Sequence, residues 1–228
     1  MLKFCYKMEI ISLNRLFFEI KYTLAILEKP LEWGFILYEE NIMDNIKRCA
    51  WVPKNNPLYQ KYHDEEWGVP VYDDTKLFEM LVLEGAQAGL SWETVLKKRE
   101  GYRKAFKGFD VQKCAAMSDA DIEKIMQNPD IIRNRLKIFS VRKNALAFIA
   151  IQKEFGSFSK YIWEFVGGKP IRNKFSSLSQ FPVTTETSDK ISKDLKKRGM
   201  SFVGSTSIYA YMQSVGLVND HMVGCFKG

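Results

Sequence analysis

From Met43 onward, segment after segment opens on a capping side chain and continues with apolar residues three and four positions apart. That pattern commits the chain to helices. Asp74 or Thr75 is placed to cap a helix that runs through Leu77, Phe78, Leu81 and Val82. Ser91 opens "WETVLKKRE", with Glu93 in the first turn, where a negative charge suits the helix dipole. Ser118 caps "DADIEKIM". A long segment from about Asn134 to Phe155 carries Leu136, Phe139, Leu146 and Ile149 on one face and stops at Gly156. Ser188 opens "DKISKDLKKR", which has Ile191 and Leu195 inward and Gly199 as its stop. Alternating, strand-like runs are scarce, so the expectation is an all-α fold with short connections.

The chain has 228 residues, 46% of them hydrophobic, enough for one sizeable domain or two small ones sharing a core. No apolar run approaches the ~20 residues of a membrane helix. Glu9, Arg15, Glu19 and Lys21 interrupt the N-terminal stretch, which is too charged for the apolar centre of a signal peptide. A reducing, cytoplasmic compartment is the expectation. The 34 basic side chains outnumber the 27 acidic ones, a net charge of +7 that favours an anionic partner, nucleic acid first. Residues 1–42 lack the Gly and Pro punctuation found later, and Met43 offers an internal start. They read as a dispensable extension, or else as an accessory helix, before a domain at 43–228.

The chain has only two histidines, and each has a cysteine at a suggestive distance. His221 and Cys225 form a His-x-x-x-Cys pair, which one helical turn or tight loop points the same way. His63 follows Cys49 near the other end of the core. The four could make a Cys₂His₂ tetrahedron, the arrangement of a closed structural zinc site. The competing reading is two buried thiols and two hydrogen-bonded histidines, because these spacings are not those of a zinc finger. Four scattered cysteines do not suggest a disulfide framework.

"LVLEGAQAGLSWETVLKKR" places one acid, Glu84, after an apolar run, with Gly85, Ala86, Ala88 and Gly89 beside it and Trp92 close by. Small residues around a lone carboxylate suggest a cavity. An ordinary helix end with a solvated glutamate fits the same segment.

Taken together, "RCAW", "NPLYQKYHDEEWGVP", "LFEMLVLEGAQAGLSWETVLKKRE" and "LKKRGMSFVGSTSIYAYMQSVGLVNDHMVGC" resemble the 3-methyladenine DNA glycosylase I (Tag) family of the helix-hairpin-helix glycosylase superfamily. The likeness runs from about Ile46 to Cys225. It implies a helix-hairpin-helix fold, double-stranded alkylated DNA as partner, and action as a monomer. It also implies one zinc ion on Cys49, His63, His221 and Cys225. The family's base-contacting glutamate and tyrosine fall on Glu84 and Tyr62, and its pocket aromatics on Trp51, Tyr59 and Trp92. Gly89 and Leu90 match the loop that fills the gap left by the extruded nucleotide.

"FVGSTSIYAYM" resembles the second half of the hairpin, with Gly204, Ser205 and Thr206 opening a helix whose free N–H groups can hold a DNA phosphate. Lys196, Lys197 and Arg198 lie just before it and can add phosphate contacts. Two departures from the wider superfamily matter. Thr206 stands where lyase members keep a lysine. Asn219, or Asp220 if the alignment slips by one, stands near the position of the usual catalytic aspartate.

The resemblance implies release of 3-methyladenine from alkylated DNA. Alkylation at N3 makes the adenine cationic, so it leaves as a neutral base and needs little chemical help. Trp92 and Tyr59 would stack on the extruded ring, and an ionised Glu84 would attract its charge and accept from its exocyclic amine. Two rivals remain: a related glycosylase for another alkylated base, and a zinc-stapled DNA-binding module without catalysis.

Overall fold

A computed structural model of the chain describes residues 46–228. The extension at 1–42, and with it Cys5, lies outside the described residues. The helices are α1 (Pro57–Glu65), α2 (Asp74–Gln87), α3 (Trp92–Ala105), α4 (Val111–Ala115), α5 (Asp119–Ile125), α6 (Arg135–Phe155), α7 (Phe158–Glu164), α8 (Glu186–Lys197) and α9 (Ser205–Ser214). Two dipeptides, β1 (Ile171–Arg172) and β2 (Val218–Asn219), pair in parallel, Ile171 opposite Val218. The architecture is mostly helical, as expected. The parallel pair was not legible, because two residues carry no alternation.

α2 is the central helix. Every residue from Leu77 to Ala86 is buried, so that stretch has no solvent face, and the helix packs against α3, α6, α7 and α9. Phe78 meets Phe148 of α6 edge-on with ring centres 5.2 Å apart, and Phe148 stacks on Phe158 of α7 at 4.0 Å. Each such ring removes a large apolar area from water, and the pair geometry adds about 0.5–1.5 kcal/mol.

Local chemistry sets most of the helix ends. The side chains of Asn56, Asp73, Ser91, Ser118 and Asn134 each accept from a backbone N–H in the first turn of the helix they open. Ser118 and Asp121 form a reciprocal capping box. Gly156 ends α6 in the left-handed region, at φ 85°.

Three sequence expectations shift. The cap of α2 is Asp73; Asp74 is the first helical residue, and its carboxylate accepts from the backbone N–H groups of Phe158 and Ser159 at the start of α7. Thr185, not Ser188, caps α8, and Ser188 is the third residue of that capping box. On α6 the inward face is Ile138, Val141, Ala145, Phe148 and Ile151. Leu136 and Leu146, which the spacing set on one apolar face with Phe139 and Ile149, are exposed. Both faces of α6 carry leucine-sized residues at helical spacing, so periodicity alone could not choose between them.

Candidate active site

Two acids occur in the buried stretch of α2, and they are treated oppositely. Glu79 Oε1 accepts from Arg99 Nε and from Arg103 Nε, both at 2.8 Å. Arg99 in turn grips Glu66, with Nη1 and Nη2 on its two oxygens at 2.8 and 2.7 Å. Burial alone would raise Glu66, but its hydrogen bonds to Arg99 and Lys76 override that and hold it at about 2. This paired cluster ties together the segment after α1, the middle of α2 and the middle of α3.

Glu84 has no such partner. It is 4% exposed, and its Oε2 meets no hydrogen-bond donor among the described residues. Burial pushes its carboxyl up from the usual 4.5 to about 8, against which only the nearby Ser214 hydroxyl favours the ionised form. An unpaired buried acid costs a fold stability, and such groups concentrate at sites of chemistry or binding.

Glu84 lies on the wall of a cavity of about 240 Å³ that also holds Trp51, Tyr59, Tyr62 and Trp92. All five residues that the sequence nominated for a base pocket therefore line one space. Tyr59 and Tyr62 come from α1, Glu84 from α2, and Trp92 from the first turn of α3. Tyr62 and Trp92 pack with ring centres 5.1 Å apart, and Trp51 and Tyr59 at 5.7 Å. Burial, then the neighbouring Glu84, raises Tyr62 well above the usual tyrosine value, so its hydroxyl is a donor. Trp92 Nε1 is a second buried polar atom of this pocket without a partner among the described residues. Flat aromatic walls with a few unpaired polar atoms suit a planar heterocycle.

Sequence reasoning missed Trp67, Gln87, Phe181, Ala210 and Gln213, which complete the lining. Gln87 lies within the segment already singled out. Gln213 and Ala210 are on α9, three positions apart, and their common face could have been read from helical spacing. Phe181 comes from a connection without periodic pattern.

The small residues after Glu84 do different jobs. A side chain on Gly85 would stand 3.2 Å from the Phe202 Cβ, so this glycine admits the α8–α9 turn against α2 and does not enlarge the cavity. Gly89 has φ +77° and open space around it. With the exposed Leu90 it forms the turn between α2 and α3, flanked by the pocket residues Gln87 and Trp92. Lys137 braces this turn from α6, donating to the carbonyls of Ala86 and Ala88 at 2.9 and 2.5 Å.

Gly204 is the N-cap of α9 and supplies no side-chain hydrogen bond, leaving the N–H groups of Ser205 and Thr206 without a side-chain cap. Lys196 and Lys197 are exposed in the last turn of α8. Arg198, grouped with them in the sequence reading, is tied up within the protein. Its Nε donates to Asp194 at 2.6 Å and its Nη1 to Glu154 at 2.6 Å, and its guanidinium lies 5.2 Å from the Phe155 and Tyr161 ring centres. Asp220 is wholly buried and accepts from Asn173, Tyr209 and Gln213. Asn219 Oδ1 lies 2.9 Å from His221 Nδ1. Neither lines the cavity.

The two chain ends of the core meet beside this pocket. One ligand atom each from Cys49, His63 and Cys225 lie within 4.8 Å of one another, all three residues buried. Cys225 Sγ is 3.5 Å from His63 Nε2. His221 adjoins them, its ring centre 5.0 Å from that of His63, and its Nε2 is buried without a partner among the described residues. Each ring turns its other nitrogen to an oxygen: His63 Nδ1 to Asp64 at 2.7 Å and His221 Nδ1 to Asn219. That leaves both Nε2 atoms free to accept, with His63 Nε2 beside the Cys225 thiol. An oxygen on the other ring nitrogen is the usual setting of a metal-bound imidazole. Burial raises the Cys49 thiol to about 12 and lowers His221 to about 4. Neutral imidazoles and crowded thiols fit a cation, whose charge would offset the cost of burying thiolates. Gly68 keeps the clasp open on one side, since a Cβ there would come within 2.8 Å of His221 Cε1.

Comparison with known proteins points the same way. Residues 51–228 match the methyladenine glycosylase family. The chain is 51% identical over 180 residues to DNA-3-methyladenine glycosylase 1 of Escherichia coli (strain K12), covering 79% of this chain and 96% of that one. It is 52% identical over 178 residues to the DNA-3-methyladenine glycosylase of Haemophilus influenzae, covering 78% and 96%. A crystal structure of a 3-methyladenine DNA glycosylase I matches with a TM-score of 0.77 at 52% identity, over 79% of this chain and 98% of that one. A structure addressing 3-methyladenine recognition by the Staphylococcus aureus enzyme matches with a TM-score of 0.77 at 38% identity, over 79% and 95%. The chain belongs to the methyladenine glycosylase family.

Proposed function

We propose that this protein extrudes 3-methyladenine from alkylated duplex DNA and releases it by hydrolysis, leaving an intact abasic site. The observation that carries the reading is Glu84, an unpaired acid buried in an aromatic cavity of about 240 Å³. In the free protein near neutral pH its carboxyl is protonated, because burial holds it near 8. A cationic base entering the pocket favours the carboxylate, and the proton leaves to solvent. Unmodified adenine offers no such compensation, so it would face a neutral acid. Trp92 and Tyr59 would stack on the extruded ring, a cation on an aromatic face gaining about 0.5–2 kcal/mol. Tyr62 would donate to it.

α8, its turn and α9 act as the helix-hairpin-helix. The N–H groups of Ser205 and Thr206 would receive a DNA phosphate, with Lys196 and Lys197 beside it. Arg198 would instead hold the hairpin to α6 and α7. Leu90, on the Gly89 turn, would occupy the space the nucleotide leaves. Cys49, His63, His221 and Cys225 would hold one zinc ion, whose contribution is to fasten the ends of the domain, since four protein ligands leave no open position. The protein would work as a monomer in the cytoplasm.

Incubating purified protein with duplex DNA carrying N3-methyladenine, and identifying the base released, tests the activity. Free 3-methyladenine is the expected product. Tight binding of the duplex with no base released would favour a non-catalytic module instead. Because the lyase position holds Thr206, whose hydroxyl forms no imine, borohydride added during turnover should trap no protein–DNA adduct. A covalent adduct above background would assign an amine nucleophile elsewhere. Residues 43–228 should carry the whole activity, so protein beginning at Met43 is expected to stay soluble and release base at near the full rate. Aggregation of that shorter chain would place the apolar side chains of 1–42 in the core.

A further inference from the structure

Gln213 stands on α9 at the wall of the same cavity as Glu84. Its amide nitrogen donates to Asp220 Oδ2 at 2.8 Å. The same oxygen accepts from the Tyr209 hydroxyl at 2.6 Å, and Oδ1 accepts from the Asn173 amide at 2.7 Å. Burial, reinforced by the adjacent Asp220, raises Tyr209 far above the usual tyrosine value, so its hydroxyl keeps the proton it donates. A carboxylate accepts hydrogen bonds and has none to give. Turning the Gln213 amide over would set its oxygen against the buried Asp220 carboxylate, acceptor to acceptor. The nitrogen is therefore fixed on Asp220, and the oxygen is the end left for the cavity.

We propose that Gln213 is a specificity-determining residue whose Oε1 accepts from the exocyclic amine of a 6-aminopurine. This rests on the base-release reading above and deepens it. Adenine carries an N–H donor at position 6 where guanine carries an oxygen acceptor. An acceptor that cannot rotate pairs with the first and opposes the second, whereas a free glutamine would serve both. The amine has two N–H bonds, so Gln213 adds to Glu84 and does not duplicate it. Asp220 is then the positioning residue: it touches no base and holds the amide in one orientation. This gives the carboxylate near the superfamily's usual catalytic position a different task.

The test is binding of free bases, followed by quenching of the tryptophan fluorescence of the pocket. Two ligands are compared: 3-methyladenine, and 3-methylpurine, which carries hydrogen in place of the amine. Gln213→Met should weaken 3-methyladenine about tenfold, the scale of one buried hydrogen bond whose partner is left unpaired, and leave 3-methylpurine unchanged. Equal weakening of both bases, or no change in either, would overturn the assignment. Asp220→Asn supplies a second route that leaves Gln213 in place. An asparagine can present its own N–H and let the amide turn, so 3-methyladenine should bind more weakly and 3-methylhypoxanthine, with oxygen at position 6, more tightly. An unchanged ratio between those two bases would also count against the proposal. Wild-type protein that bound none of these bases would instead contradict the base-release reading itself.

Discussion

Glu84→Gln is expected to raise the melting temperature at neutral and alkaline pH, with the gain vanishing in acid. Burial lifts the Glu84 carboxyl from the usual 4.5 to about 8 in the folded protein. Between those values the unfolded chain has released the proton and the folded one retains it. Folded protein therefore binds more protons, and its stability falls as pH rises through that window. Each unit is worth about 1.4 kcal/mol, so at pH 7 the penalty is on the order of 3 kcal/mol, reaching a plateau above pH 8. Glutamine does not titrate and has nearly the same shape. It leaves a buried polar group as poorly paired as the protonated acid does, so the two should be equally stable below about pH 4.5. For a domain of this size, 3 kcal/mol corresponds to roughly 6–12 °C. A series of melting curves from pH 4 to 9 measures this directly. A Glu84→Gln protein less stable than wild type at pH 8 would mean that the carboxylate is paired in the fold. Selection keeps a destabilising side chain where function needs it, which is why this acid is more informative than the well-paired Glu79 only five residues earlier.

Stripping metal with a chelator should cost even more. Cys49 and His63 lie near the start of the described core and His221 and Cys225 near its end, so an ion held there would bridge residues from opposite ends of it. Without it, the junction retains few direct links, among them Met222 N donating to Cys49 Sγ at 3.3 Å and Phe226 N to the Lys47 carbonyl at 2.9 Å. Loss of several kcal/mol, or on the order of 10–20 °C in melting temperature, is the expected result. Elemental analysis of protein purified without added zinc should give about one equivalent per chain. Cys225→Ser should lower both metal content and melting temperature, while free 3-methyladenine still binds, because the pocket lies outside the clasp. Folded, reduced protein with no metal, and with a melting point indifferent to chelator, would leave the clasp as two thiols and two imidazoles.

What the sequence could and could not say divides along physical lines. Helix starts at Ser91 and Ser118 were legible because a single side chain decides them locally. The boundary at Thr185 was not, because Ser188 is as good a capping residue and only the reciprocal bond between the two separates them. The buried face of α6 was misread because its leucines face outward, and which stripe is buried depends on neighbours remote in sequence. Glu84 stood out as a lone acid in an apolar run, yet Glu79 sits in the same run. What separates them is Arg99 and Arg103, placed by the packing of α3 on α2. Gly85 looked like room for a ligand and proved to be room for Phe202. Arg198 looked like a phosphate contact until Asp194 and Glu154 were found beside it. The link between Gln213 and Asp220 was not legible: spacing could place Gln213 on a face with Ala210, and alignment could single out Asp220, but only the folded network joins α9 to the segment after β2.

The account turns on an acid that is neutral in the free pocket and charged when a cationic base is in it. Single-turnover excision of N3-methyladenine from duplex DNA, followed against pH for wild type and Glu84→Gln, tests this most directly. Because kcat/KM reports the free enzyme, the wild-type value should climb with pH, by at most tenfold per unit, and level off near pH 8. The glutamine variant should show no such rise. On the plateau its deficit should be about tenfold, the gap between a charge-assisted hydrogen bond and a neutral one, and the two proteins should converge as pH falls. Parallel profiles, with the same ratio at every pH, would contradict the account.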